Sequence, residues 1–241
     1  MLILISPAKS LDFETRFNCE IATKAQFEKE AQKLADEMKN YSAKKLGELM
    51  EISPKLSELN FSRWQNFKKN EARQALLAFD GDVYAGIEKE KYGKKDFEFA
   101  QNHLRILSGL YGILRPMDLI KPYRLEMGFT DKNLYEFWEK KIADELNKNE
   151  AEVLINLASE EYFGAVDVKK ITKPIINIFF KEKKNGALKI IGINAKKARG
   201  LMTNFAIKNK ITDAQKLKKF AEEKYKFDEK LSDKNNWVFV R

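Results

Sequence analysis

Two short runs, Leu2–Ser6 (LILIS) and Val153–Leu157 (VLINL), are apolar almost throughout. A strand with one wet face alternates polar and apolar residues, whereas a strand covered on both faces reads as a continuous run. Pro7 stops the first run. Such strands need helices on both faces, and the chain supplies them. Lys24 to Asn70 carries charged and apolar residues at helical spacing, with Ser53-Pro54 suited to an N-cap and first helical position. Leu134–Asn147 is an amphipathic helix, and Ala195–Lys210 is another. Ala75–Phe79 reads as a strand before a turn at Asp80-Gly81. Asp96 to about Leu107 reads as helix, with Arg105–Ser108 also open to a strand. Ile175–Phe180 and Leu188–Asn194 flank Asn185-Gly186, a hairpin signal, and Tyr225–Val240 alternates as a terminal hairpin. The expected fold class is α/β (α+β). One compact domain spans residues 1–241, with a mixed, largely parallel sheet flanked by helices.

No apolar run approaches a membrane span, so no membrane partner is expected. Apolar residues before Pro7 are too few for a signal peptide. The one cysteine, Cys19, permits no internal disulfide. These features point to a reducing cytoplasm. The formal net charge of +9 is uneven. Residues 169–219 hold fifteen Lys or Arg against Glu182 and Asp213, whereas the remainder holds 30 basic and 34 acidic residues. A concentrated basic segment suits a polyanion, nucleic acid first, or equally a solvated lysine face.

Four stretches place functional side chains where an element stops. In SPAK, Lys9 follows Ser6 at the end of the first strand, where open α/β sheets bind ligands. It reads as an anion contact or an ordinary exposed lysine. In PYRLEMG, alternation sets Tyr123, Leu125 and Met127 against Arg124 and Glu126. That strand-borne pair is a salt bridge, or a site in which Glu126 aims Arg124 at a phosphate or base. In NLASEEYF, a helix begins near Ser159, and Glu160 and Glu161 suit its dipole. Tyr162 follows as a further polar candidate.

The fourth stretch, NAKKARG, reads as a helix capped by Asn194, with Lys196, Lys197 and Arg199 beside the positive end of the dipole. Broken local rules mark functional sites, and a bound phosphate would resolve the conflict. A helix that begins later would also remove it.

LSGLYGILRP (Leu107–Pro116) puts Gly109, Tyr111 and Gly112 in a tight turn followed by Arg115. With Pro116 opening a second short helix to Ile120, the region of about 96–121 reads as a helix-hairpin-helix whose turn N–H groups hold a DNA phosphate. Its Gly-x-x-Gly spacing departs from the usual Gly-x-Gly. The alternative is buried packing with Arg115 paired to Asp118 or Glu126.

Familiar catalytic kits are absent from the sequence. His103 is the only histidine, flanked by apolar residues, and no His/Cys metal cluster, Walker loop or G-x-S-x-G occurs. No cofactor or metal site is expected, although a carboxylate-only site stays open. Glu20 beside Cys19 argues against a reactive thiol.

The blocks MLILISPAK, ARQALLAFDGDVYAG, HLRILSGLYGILRPMDLIKPYRLEMG, INLASEEYF and AKKARGLM occur in this order. Together they resemble the YaaA family of bacterial peroxide-stress proteins, from Met1 to the terminal hairpin. Ser10 stands where a threonine is common, and the terminal region is short. The resemblance implies a mixed α/β architecture called the cantaloupe fold, a basic cleft, a helix-hairpin-helix and binding of distorted or branched DNA. It also implies protection against peroxide linked to low free iron. The leading expectation is therefore a cytoplasmic, monomeric protein of the peroxide response that binds duplex, bubble or junction DNA without sequence specificity. An enzyme acting on a nucleotide, nucleobase or phosphorylated metabolite is the alternative, and direct iron sequestration a third reading.

Overall fold

The computed structural model describes residues 1–184 and 186–241. The chain begins with β1 (Leu2–Ile5), β2 (Ser10–Leu11) and β3 (Thr23–Lys24). Three helices follow, α1 (Glu28–Met38), α2 (Ala43–Met50) and α3 (Pro54–Gln65). The Ser53 hydroxyl accepts the Leu56 N–H at 3.4 Å, and Pro54 occupies the first turn, where its missing N–H is harmless. Next come β4 (Arg73–Gln74), α4 (Ala75–Ala78), β5 (Phe79–Asp80) and α5 (Lys94–His103). α5 passes directly into β6 (Leu104–Ser108), followed by β7 (Gly112–Leu114) and β8 (Asp118–Ile120). Then α6 (Leu134–Lys148), β9 (Leu154–Asn156) and α7 (Glu160–Phe163) precede β10 (Ile175–Lys184) and β11 (Ala187–Lys189). The long α8 (Gly192–Lys208), β12 (Lys226–Asp228) and β13 (Asn236–Val240) complete the chain.

The main sheet has eight strands in the order β12-β13-β10-β9-β1-β6-β7, with β11 paired to β10. β13, β10, β9, β1 and β6 run parallel, and β12 and β7 close the edges antiparallel. The architecture is the expected mixed α/β one. β1 is buried at every position, as its unbroken apolar run requires. Because Leu4 pairs with Asn156, and the Leu157 N–H donates to the Leu4 carbonyl at 2.9 Å, β1 and β9 end side by side. SPAK and NLASEEYF therefore leave the sheet as neighbours. α8 is held close by the loop after β5. A Cβ on Gly200 would lie 1.8 Å from the Val83 carbonyl oxygen, so this approach requires glycine.

Several local expectations are corrected. Ala75–Ala78 is one buried helical turn, not a strand, and only Phe79–Asp80 is extended. A short run buried on all sides suits either state, and period cannot tell them apart. The region 96–121 is not a helix-hairpin-helix. The glycine turn joins β6 to β7 in an antiparallel ladder that pairs Ser108 with Gly112 and Ile106 with Leu114. Gly112, at φ +69°, supplies the left-handed position that a three-residue hairpin loop requires. Pro116 starts no helix. Its carbonyl accepts the Leu76 N–H at 2.9 Å, and β8 pairs with both β3 and β4. PYRLEMG belongs to no strand, although Tyr123, Leu125 and Met127 are buried and Arg124 and Glu126 partly exposed, as the alternation predicts. A β10–β11 hairpin forms where expected, with Gly186 at φ +76° and Asn185 outside the described residues, but its second strand is Ala187–Lys189 and not Leu188–Asn194, because α8 begins at Gly192.

Candidate functional site

At the carboxyl ends of β1 and β9 lies a cleft of about 380 Å³. Ser6, Lys9, Ser159, Glu161, Tyr162, Lys196 and Arg199 line it, together with Asp80 at the end of β5 and Asp82 and Tyr84 just after it. Open α/β sheets bind their ligands at such an edge. A shallower, broader depression of about 1070 Å³ opens at the amino ends of the strands, around Met1, His103 and Asp213. His103 is engaged there in packing: its Nδ1 lies 3.1 Å from the Met1 carbonyl and its ring stacks on Phe99 at 4.3 Å.

The cleft floor is built from paired hydroxyls. Ser6 Oγ accepts the Ser159 N–H at 2.8 Å and lies 3.2 Å from Ser159 Oγ. The Tyr84 phenol donates to the Ser6 carbonyl at 3.1 Å. Burial pushes the Tyr84 and Tyr162 phenols well above their ordinary range, and Glu161 adds to the effect at Tyr162. Both phenols therefore stay protonated at neutral pH, with the Tyr84 proton held by the Ser6 carbonyl.

Cations at the cleft differ sharply in how they are held. Lys9 contacts Glu126 at 2.5 Å, and the same carboxylate takes Arg124 at 3.0 Å through Nη2. Glu126 thus joins SPAK to PYRLEMG at the rim, while Arg124 stays outside the cleft lining. Lys196 lies 3.8 Å from Asp82. Lys197 is turned away and paired with Glu223. Arg199 is different. Its guanidinium has no hydrogen-bonding or ionic partner among the described residues, and its Nε is fully buried. Burial pulls its pKa below the ordinary arginine value, with Glu160 opposing that shift at a distance.

Three structural premises behind the expected phosphate contacts are corrected by the geometry. α8 begins at Gly192 behind Ile191, not at Asn194, so Lys196, Lys197 and Arg199 lie in its second turn and meet no dipole conflict. Gly109, Tyr111 and Gly112 are buried. The Gly109 carbonyl accepts the Trp138 indole N–H at 2.8 Å, and the Tyr111 hydroxyl accepts the Lys121 N–H at 3.0 Å. Arg115 is bound to Asp118 at 2.9 Å and reaches the Lys24 carbonyl at 3.0 Å. None of these four lines the cleft: the glycine turn lies inside the core, and Arg115 is held by Asp118. Asp80, Asp82 and Tyr84 were missed. Their signal was D-G-D directly after an apolar run, which read only as a turn.

Residues that the sequence scatters over four stretches thus meet at one sheet edge. Residues 1–231 match the family described as peroxide stress protein YaaA. The chain belongs to this family. It is 52% identical to a UPF0246 protein of Acaryochloris marina over the whole of both chains, and 46% identical to one of Crocosphaera subtropica over the same extent. A UPF0246 protein of Teredinibacter turnerae is 47% identical over all of this chain and 99% of its own. The family supports a role in peroxide stress. Among the described residues, no helix is long and apolar enough to cross a membrane.

Cys19 contacts Met117 Sδ at 3.5 Å, and burial, opposed by a backbone hydrogen bond with Ile21 and aided by Glu20, shifts its thiol upward. That opposes thiolate chemistry with peroxide. The candidate site of this YaaA-family chain is therefore the cleft and not the cysteine.

Proposed function

We propose that the protein serves the peroxide response by holding a small phosphate-bearing ligand, a nucleotide or a phosphorylated metabolite, in the cleft between β1, β9 and α8. The observation that carries this reading is the unpartnered Arg199 guanidinium lining a cavity of about 380 Å³. A half-buried cation with an orphaned donor calls for an anion. The volume falls among small-molecule sites. Acids and bases are balanced in the lining, with Asp80, Asp82 and Glu161 facing Lys9, Lys196 and Arg199. In this reading Arg199 and Lys196 take the phosphate, the Ser6 and Ser159 hydroxyls hydrogen-bond it, and the carboxylates on the opposite wall accept ligand hydroxyl or amine donors.

Titration calorimetry with AMP, adenosine and inorganic phosphate tests it. The expected result is binding of AMP, with adenosine weaker. Arg199→Gln should weaken AMP by about 10-fold to 100-fold, the range of a lost charge-assisted hydrogen bond. Absence of heat with AMP and phosphate, or an unaffected Arg199→Gln protein, would overturn the reading.

DNA binding without sequence specificity is a second reading, and one observation favours it. Within the basic segment, Lys170, Lys196, Lys197, Lys208 and Lys210 have acidic partners, but Lys181, Lys183, Lys184 and Lys189 have none among the described residues. These four lysines without an acidic partner all sit on the β10–β11 hairpin, outside the cleft lining. Its test is the salt dependence of affinity for duplex, bubble and junction DNA, with a log–log slope of about −0.9 per phosphate on duplex. A link to limiting free iron would then be indirect, through protected DNA or through the cleft's ligand.

A further inference from the structure

Leu188, Ile190 and Ile193 are exposed by 36%, 51% and 64%, all within six residues. They take no part in the hydrophobic core. They lie at the end of the β10–β11 hairpin and the start of α8, among the lysines that have no acidic partner. Lys183 stands directly across the ladder from Leu188. Lys189 stands across from Glu182, but that carboxylate is taken by the Tyr225 hydroxyl at 2.9 Å and Arg241 at 3.1 Å. β10 runs seven residues beyond its last pairing with β9, at Asn177, but stays paired with β13 as far as Lys181, so the hairpin extends past the sheet only from Glu182. Ile193 and Lys196 are three apart on α8 and share a face, about 4.5 Å along its axis. Ile193 thus stands within one helical turn of a residue of the cleft lining.

An apolar cluster at a projecting, strongly basic tip is costly in water unless something covers it. A second copy of the same tip would bring two lysine clusters together, which like-charge repulsion opposes. A polyanion with apolar faces satisfies both features. We propose that Ile190 and Ile193, with Leu188, form a wedge that inserts between the bases of DNA while Lys181, Lys183, Lys184 and Lys189 hold the flanking phosphates. Aliphatic side chains inserted at base steps unstack them, and DNA that is already distorted yields most readily. This proposal rests on the DNA-binding reading and assigns the residues and the action for it.

The test uses a duplex with a central 2-aminopurine, whose fluorescence rises on unstacking, and the same duplex carrying a bubble. The wild-type protein should raise the fluorescence several-fold and bind the bubble about 10-fold more tightly. Ile190→Ser/Ile193→Ser should lose both effects, yet bind intact duplex within about 2-fold and with the same salt slope. Lys183→Gln/Lys184→Gln/Lys189→Gln should lose affinity for both DNAs and flatten the slope by about 0.9 for each phosphate no longer neutralised. Circular dichroism of each variant should match the wild type, since these side chains are exposed. Duplex binding with no fluorescence change would overturn the wedge and leave DNA binding standing. No binding to either DNA would overturn both. If the double-serine variant instead loses binding to vesicles of phosphatidylglycerol and phosphatidylcholine, or dissociates a dimer in sedimentation, with DNA binding unchanged, the tip serves a membrane or a second copy and the wedge is wrong.

Discussion

Arg115 closes onto Asp118 with two side-chain donors on one carboxylate oxygen, Nε at 3.0 Å and Nη2 at 2.9 Å, while the Arg115 backbone N–H takes the other at 2.8 Å. Asp118 is 1% exposed and also accepts the Thr23 hydroxyl at 2.6 Å. The arginine that closes the glycine turn thus ties β8 to its neighbours, with Nε and Nη2 both turned to protein acceptors. Arg115→Ala should therefore lower stability by about 1–3 kcal/mol, because a buried carboxylate loses charged donors. The melting temperature should fall by roughly 2–10 °C. The affinity for AMP and the salt slope for DNA should stay as they are. A variant that melts normally but binds DNA poorly would reverse this assignment.

Gly112 should tolerate no side chain. Its φ of +69° strains any L residue, and a Cβ there would lie 2.5 Å from the Trp138 ring. Gly112→Val should cost well above the roughly 1 kcal/mol of an ordinary glycine replacement. Urea unfolding followed by tryptophan emission checks this, and a midpoint within error of the wild type would show that the turn can rearrange.

Arg199 should behave in the opposite way from Arg115. Replacing its unpartnered guanidinium with a shorter neutral amide removes a buried orphan donor. Stability of Arg199→Gln should be equal to or up to about 1 kcal/mol above that of the wild type, while phosphate affinity falls. Thermal melts with and without AMP measure both. A large loss of stability in the ligand-free protein would mark Arg199 as structural.

Asp12 should shape the acid limb of stability. Burial raises its pKa, but N–H donors from Thr15 and Glu14 and the nearby Arg73 outweigh it, bringing the carboxyl from 3.8 down to about 2. A depressed folded-state pKa contributes stability above the unfolded value, and that contribution is lost as pH falls through the folded value. The stability gap between the wild type and Asp12→Asn should be full above about pH 4 and close between 3.8 and about 2. Urea midpoints across that range test the window, and a gap independent of pH would show that Asp12 is not held in this way.

By itself, the sequence determined what local physics can determine. The unbroken run Leu2–Ile5 had to be a strand covered on both faces, and Ser53-Pro54 had to open a helix. It also placed Lys9 and Ser159 at ends of elements, where ligands are met. The tertiary structure alone decided which partner each charge has. Arg115, Arg199 and Lys196 look alike in sequence, yet Arg115 meets Asp118, Lys196 faces Asp82 and Arg199 meets nothing among the described residues. It likewise turned a glycine loop from a surface element into the seat of Trp138, and brought Asp80 and Asp82 opposite α8. The reason is physical. Backbone conformation is set by neighbours along the chain, whereas the state of a charge depends on burial and on partners that only packing brings within hydrogen-bonding distance.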